Sequence, residues 1–542
     1  MNELFNKTKT FIFSKQRSIF SSAILLSGTI VLARFFGFFR YRVLASYFTK
    51  EQLDIFFASF RIPDLIFEIL ITGAFTSSFI PLFIKYQKNK KELNENISSI
   101  INFIILLMIL TIAILFVWMH PLISFITPGF SKEKIELIVY YSRLLLLGQL
   151  PFLILGNFLT GIGQANKFFF LSAIAPVLYN VAIIITTVFF SSQLWLLAPV
   201  LGVIFGAFFL FVTQLPILTI TEYTYLPIVK KSKSIIEFLR MVIPRTLTVM
   251  VAQLDATIDL TLTTILGAGS YTVFYLAQHL QLLPVSVIGV AFGQASLPYL
   301  SEIFLEKRTE EFKKIVIDSI LNLLFLTIPI MSFFIFARTP LIRLFFGAQK
   351  FDWDATVQTA VTLSYFSLSL PFHAIYYFIT RCFYAILDSR TPFYIGVATI
   401  IINALLSLIF IFIFKLPVWA LAISFSISMT LNVIILTIIL SYKLHGLAYK
   451  FMAIEIFKIC VATFLSSVAS YLTIKMLDKL ILDTSRTINV FFLLVIAIFI
   501  YGLLYLFLSW VLDIKELYLI TKLITKAKEY QKRFLEIYSE YE

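Results

Sequence analysis

Arg34, Arg40, Arg42 and Arg61 are followed by Asp64, Glu68 and Thr72, and farther along by Asp255 and Asp259, all within strongly apolar sequence. In such surroundings a charge is costly unless it faces a partner or a water-filled cavity, so each is a candidate for chemistry rather than for surface solvation. At 1.5 Å per residue, Arg34 lies roughly 24 Å into the apolar run that opens near Ser18, at hydrocarbon depth. Arg40 and Arg42 reach the far interface, where snorkelling explains them. At 100° per residue, Arg61, Asp64, Glu68 and Thr72 fall within about 80° of each other and make a polar face that lipid cannot cover. An Arg61–Asp64 ion pair along the helix is the alternative to a cavity there. Pro63 is expected to bend this helix and to expose backbone groups that need a polar or wet lining. Asp255 and Asp259, at i and i+4, share a face, and their mutual repulsion calls for a cation or a proton between them.

Arginine rather than lysine suits planar, bidentate contact with phosphate, and an acidic pair suits a coupling cation. A diphosphate carried on a lipid is therefore a natural substrate. Other chemistries find no support. Cys382 and Cys460 form no paired framework, and His120, His279, His373 and His445 are scattered. No HExxH, GxxxxGK[ST] or GxSxG motif is present, and the two aspartates share one helix, whereas an intramembrane aspartyl protease needs two helices to converge.

The elements that must position these residues are membrane-spanning helices. The 542 residues are 60% apolar and only 14% charged, with 60 Phe and a mean hydropathy of +0.94. Continuous apolar runs exclude a β-barrel and predict an all-α polytopic membrane protein of about fourteen spans. With the N-terminus placed in the cytoplasm, 26 Lys and Arg fall at cytoplasmic ends against 10 in outer loops, which predicts both termini inside. The net charge of +14 follows from this bias and from attraction to anionic membrane lipids, with no need of nucleic acid. Ala74, Phe75 and Pro81 recur as Ala291, Phe292 and Pro298 at a constant offset of 217, predicting two parallel six-helix halves. The resulting division is residues 1–222, residues 223–445, two further helices in 446–512, and a tail at 513–542. In the tail, Ile520, Ile524, Ala527, Phe534, Leu535 and Tyr538 form an apolar stripe flanked by lysines, as in a helix lying on a leaflet. The repeat gives the arginines to the first half and Asp255 and Asp259 to the second.

These residues resemble the MurJ (MviN) lipid II flippases of the multidrug/oligosaccharidyl-lipid/polysaccharide (MOP) exporter superfamily. The likeness lies in ARFFGFFRYRVLASYF and DIFFASFRIPDLIFEILITGAFTSSFIPLF of the first two spans, TPGF at Thr127–Phe130, APVLYN at Ala175–Asn180, GVAFGQASLP at Gly289–Pro298 and RCFYAILDSRTP at Arg381–Pro392. The resemblance implies a V-shaped, alternating-access transporter with a cationic cavity for the lipid II headgroup and a C-terminal groove for its polyprenyl tail. It implies a monomer in the bacterial cytoplasmic membrane, serving peptidoglycan synthesis, with no cofactor beyond possible Na+ or H+ coupling or the membrane potential. Carried over by position, Arg34 and Arg40 meet the diphosphate, Asp54 is a required acid, and Arg61 is a basic cavity residue. Asp259, with Asp255 beside it and Asn403 as fellow ligand, is the implied cation site. The chain also departs from the family. Phe67 or Glu68 stands where many members have a second-span arginine, His279 replaces an arginine in the eighth span, and Ser407 stands at another acidic position. Exporters of other polyprenyl-diphosphate-linked oligosaccharides and MATE-type drug antiporters are the alternative readings within the superfamily. Fourteen spans and an arginine-rich first helix argue against the antiporter.

Overall fold

The computed structural model describes residues 19–72, 78–221, 223–228, 233–480 and 486–518. These are helical almost throughout, and one isolated antiparallel bridge, Ala348 to Phe351, is their only β contact. The chain divides into two compact units, Met1–Thr272 with Phe345–Ala355, and Val273–Leu344 with Thr356–Glu542. The first contains α1 (Ile19–Tyr47), α2 (Lys50–Ser59), α3 (Arg61–Phe67), α4 (Ile80–Tyr86), α5 (Lys90–Ile126), α6 (Lys132–Gly148), α7 (Leu150–Ala165), α8 (Phe170–Leu194), α9 (Leu197–Gln214), α10 (Pro216–Ile220) and α11 (Lys233–Ile265). Next, α12 (Ser270–Pro284) starts at the end of unit 1. Unit 2 continues with α13 (Ala291–Leu305), α14 (Thr309–Phe336), α15 (Arg338–Phe345), α16 (Trp353–Ser367), α17 (Leu370–Ala385), α18 (Arg390–Leu408), α19 (Trp419–Lys443), α20 (Tyr449–Leu480) and α21 (Thr487–Val511).

Among the described residues, ten helices or continuous helix pairs are long and apolar enough to cross a membrane. The other four of the fourteen expected segments are α1, the broken run α2 to α4, α11, and the pair α16 and α17. Three of these four carry the charged residues singled out above, so the polar site is built from the least lipid-like spans.

Two prolines free carbonyls that a neighbouring helix answers. Pro63 cannot donate to the carbonyl four residues back, and the helix is interrupted at Phe60, between α2 and α3, rather than at the proline itself. The freed Ser59 carbonyl accepts a hydrogen bond from the Ser142 hydroxyl of α6 at 2.9 Å. In unit 2, Pro329 inside α14 likewise frees the Phe325 carbonyl, and the Tyr505 hydroxyl of α21 donates to it at 2.8 Å. Membrane interiors offer no water for such groups, so the donor must come from a neighbouring helix.

Close helix packing rests on small residues, as expected where apolar burial alone cannot favour helices over lipid. A Cβ on Gly202 would stand 2.0 Å from the Thr186 hydroxyl, and one on Gly293 2.7 Å from the Tyr377 carbonyl oxygen. The 217-residue offset also appears in the backbone. Glu68–Thr72 and Val285–Val290 are both π-helical turns, and the offset carries the first onto the second. Gly73, Ala74 and Phe75 lie outside the described residues, as do residues 519–542 of the tail.

The two proline repairs should be measurable. Ser142→Ala and Tyr505→Phe should each lower stability by about 1–3 kcal/mol, the cost of an orphaned buried carbonyl. Thermal melting in detergent checks this. Pro329→Ala should remove most of the Tyr505→Phe penalty, because it returns a helical N–H to Phe325.

Candidate functional site

Arg61 is the centre of the polar face. It opens α3, half-buried, directly after the break that Pro63 imposes. Its guanidinium turns to α11 instead of down its own helix to Asp64. Nε donates to the Thr257 hydroxyl at 3.0 Å, and one terminal nitrogen donates to the Gln253 carbonyl at 2.5 Å and to the Gln253 side-chain oxygen at 2.8 Å. Among the described residues, the other terminal nitrogen, Nη1, makes no hydrogen bond. Asp64, Glu68 and Asp259 are near enough for their charges to act on Arg61. The expected Arg61–Asp64 ion pair is not formed, and Asp64 has no hydrogen-bond partner among the described residues.

The repeat assigns α11 to the second half, but its packing puts it in unit 1. There α11 supplies the acceptors for the half-buried Arg61 guanidinium. Asp255 is half-buried and Asp259 only 4% exposed, and their charges interact with each other. By helical rotation they lie roughly 160° from the Gln253 and Thr257 face, so Arg61 reaches the helix from the other side. Among the described residues no group of three or more His, Cys, Asp or Glu is arranged to hold a metal ion.

Asp54, expected at the substrate site, is fully buried and engaged elsewhere. Its carboxylate accepts from the Gly269 N–H at 2.5 Å and from the Thr272 N–H and hydroxyl, each at 2.8 Å. It thus caps the first turn of α12, where orphan N–H groups and the helix dipole favour an anion. Thr272 also donates to the Lys50 carbonyl at 2.8 Å, and the Lys50 ammonium pairs with Asp354 at 2.6 Å. Gly269 has φ +85°, and a Cβ there would meet the Lys50 side chain at 2.5 Å, so both backbone conformation and space require glycine.

On α1, Arg34 is exposed and makes no hydrogen bond or ion pair with a described residue. Arg40 is half-buried, with its guanidinium 4.5 Å from the centre of the Tyr41 ring. Arg143 is held by Phe116, donating to its carbonyl at 3.1 Å and lying over its ring at 4.9 Å, which accounts for it as a packing residue. In unit 2, His279 on α12 is half-buried. Its Nδ1 donates to the Tyr275 carbonyl at 2.8 Å, and its ring lies on Tyr275 at 3.9 Å. Asn403 on α18 is 2% exposed, and one turn on, Ser407 shares a 2.6 Å hydrogen bond with Ser424 of α19.

Motif residues often prove to be structural. The TPGF glycine, Gly129, sits so close to the end of α11 that a Cβ would be 2.1 Å from the Thr264 carbonyl oxygen. Asp388 of RCFYAILDSRTP caps α18 through the Arg390 and Thr391 N–H groups and pairs with Lys443. Burial works against its charge, but the Lys443 and Thr391 hydrogen bonds outweigh it and hold the carboxyl down to about 2. Gln253 and Thr257 were missed in the sequence. Their one signal is the i, i+4 spacing of two polar side chains on α11.

A family model described as Lipid II flippase MurJ matches residues 44–510. The probable lipid II flippase MurJ of Rickettsia prowazekii is 29% identical over 409 residues, which is 72% of this chain and 78% of that protein. A solved lipid II flippase MurJ in an inward closed conformation superposes with a TM-score of 0.74 at 26% identity, covering 90% of this chain and 98% of its own. An inward-facing multidrug resistance MATE family transporter of the MOP superfamily gives 0.65 at 15% identity, over 78% of this chain and 98% of its own, a likeness of fold alone.

Asp54→Ala should cost about 3 kcal/mol or more, because it strips three hydrogen bonds from a buried helix start. Melting temperature and folded yield should fall together with activity. A variant that melts like the wild type yet fails to transport would instead assign the carboxylate to substrate.

Proposed function

We propose that this chain, which belongs to the lipid II flippase MurJ family, moves lipid II from the inner to the outer leaflet of the bacterial cytoplasmic membrane by alternating access. It is a multi-pass membrane transporter, not an enzyme, and its substrate places it in peptidoglycan synthesis. The family match over residues 44–510 carries this reading. At the level of residues, the strongest support is Arg34, an exposed guanidinium at hydrocarbon depth with no hydrogen-bonding or ionic partner among the described residues. Such a charge is stable there only if an anion comes to it. The diphosphate of a polyprenyl-linked precursor is that anion, and Arg40 and the open side of Arg61 are further donors of the same kind. His279, standing where relatives have arginine, adds charge only when protonated.

Asp255 and Asp259, with Asn403, are the groups we assign to a coupling cation, Na+ or H+, with the membrane potential as a further driving force. The excess of Lys and Arg, 26 against 10, supports both termini in the cytoplasm, and a monomer suffices for the mechanism.

The test is complementation of a bacterium depleted of its own flippase, with an assay of lipid II exposed on the outer leaflet. The wild-type chain should restore exposure. Arg34→Ala should abolish it at unchanged abundance and melting temperature. Arg34→Lys should retain a fraction, about tenfold reduced, because losing one bidentate contact is worth about 1.4 kcal/mol. Full activity of Arg34→Ala would overturn the assignment.

A further inference from the structure

We propose that unit 2 holds a separate site for a zwitterionic aminophospholipid headgroup, its phosphate against Lys314 and Lys515 and its primary ammonium against Glu516 and Asp318. The site is an open cleft of about 880 Å³ where α14 and α20 begin and the chain leaves α21. Three lysines, Lys313, Lys314 and Lys515, and three acids, Glu310, Asp318 and Glu516, line it. Lys313 is already paired with Glu310 at 2.7 Å. Lys515 lies over the Phe451 ring at 4.8 Å, and neither it nor Lys314 has an ion-pair partner among the described residues.

Glu516 makes the cleft more than a solvated charged surface. It is 7% exposed, and its Oε2 has no hydrogen-bond partner among the described residues. The neighbouring carboxylate, Glu455 of α20, is 3% exposed and also has an unmatched Oε2, while its other oxygen takes Lys458 at 3.1 Å. Burial first, then the charges of Glu455 and Asp318, push the Glu516 carboxyl above its ordinary range. Among the described residues, no cationic N–H donor reaches this buried carboxylate, and the lysines of the cleft do not supply one.

The charge pattern selects the occupant. A simple anion would satisfy Lys314 and Lys515 but be repelled by Glu516 and Asp318, and a simple cation would do the reverse. A phosphate joined by two carbons to an ammonium satisfies both sets at once. The surroundings favour a lipid as its source. The cleft lies where three membrane-spanning helices end, and Tyr449, Trp510 and Tyr518 nearby are 49%, 69% and 70% exposed, the aromatic signature of the headgroup level. This inference needs only the membrane location, not the flippase reading.

The experiment uses the full chain in detergent, with native mass spectrometry and thermal shift on adding phosphatidylethanolamine, phosphatidylglycerol or phosphatidylcholine. Phosphatidylethanolamine should be retained about tenfold better than the other two, since one lacks the ammonium and the other lacks its N–H donors. Glu516→Gln with Asp318→Asn should abolish the preference over phosphatidylglycerol, and Lys314→Ala with Lys515→Ala should weaken all three lipids. Lipid-free melting temperatures identify any variant that has merely misfolded, and the wild-type lipid ranking decides the question without variants. Equal retention of phosphatidylglycerol or of phosphatidylcholine would overturn the proposal. So would wild-type behaviour in the carboxylate variants. Soluble O-phosphoethanolamine should stabilise far less than the lipid at equal concentration, and equal stabilisation would overturn the lipid as the source.

Discussion

The constraint on which this structure depends is that a polar group inside a membrane must find its partner within the protein. Pro63 frees the Ser59 carbonyl and Ser142 answers it; Pro329 frees Phe325 and Tyr505 answers it. The Arg61 guanidinium is anchored by Gln253 and Thr257, and the Asp54 carboxylate closes the first turn of α12. Against so much matching, an unmatched group stands out. Among the described residues, Arg34 and Asp64 lack a hydrogen-bond partner in unit 1, and one oxygen of Glu516 lacks one in unit 2.

The same constraint explains what was legible in the sequence. The apolar segments could be read because a span must be apolar over its length, and the residues that violate that rule marked α1, α2, α3 and α11. The repeat was legible from three residues, and the paired π-helical turns at Glu68–Thr72 and Val285–Val290 add a second register mark that no residue pattern announces. A π-turn is a backbone state, and apolar residues such as Val, Ile and Leu permit it without requiring it.

Partner choice was not legible. Asp54 meets Gly269 and Thr272 more than two hundred residues away, and only tertiary placement brings them together. The resemblance offered Asp54 as an important acid, which fits a helix cap as well as a substrate contact. Arg61 has Asp64 three residues on, and local geometry favours that pair. The polar acceptors of α11 win because they engage Nε and one terminal nitrogen of the fork through three hydrogen bonds, and a single intrahelical ion pair offers less.

The placement of α11 changes how the charges are related. With the arginines in one half and the aspartates in the other, substrate and cation chemistry would sit on separate bodies. Instead α11 packs within unit 1 and carries both sets of side chains: Gln253 and Thr257 hold Arg61 on one face, and Asp255 and Asp259 lie roughly 160° around the helix. A helix is stiff along this short length, so a shift or rotation that relieves repulsion between the aspartates also moves the acceptors of the guanidinium. Arg61 then has two choices, to follow α11 or to exchange its acceptors for another anion. If a cation binds the aspartates and an anion binds Arg61 as proposed, the two would be linked through one rigid element inside one unit, which is the physical requirement for each to alter the affinity of the other.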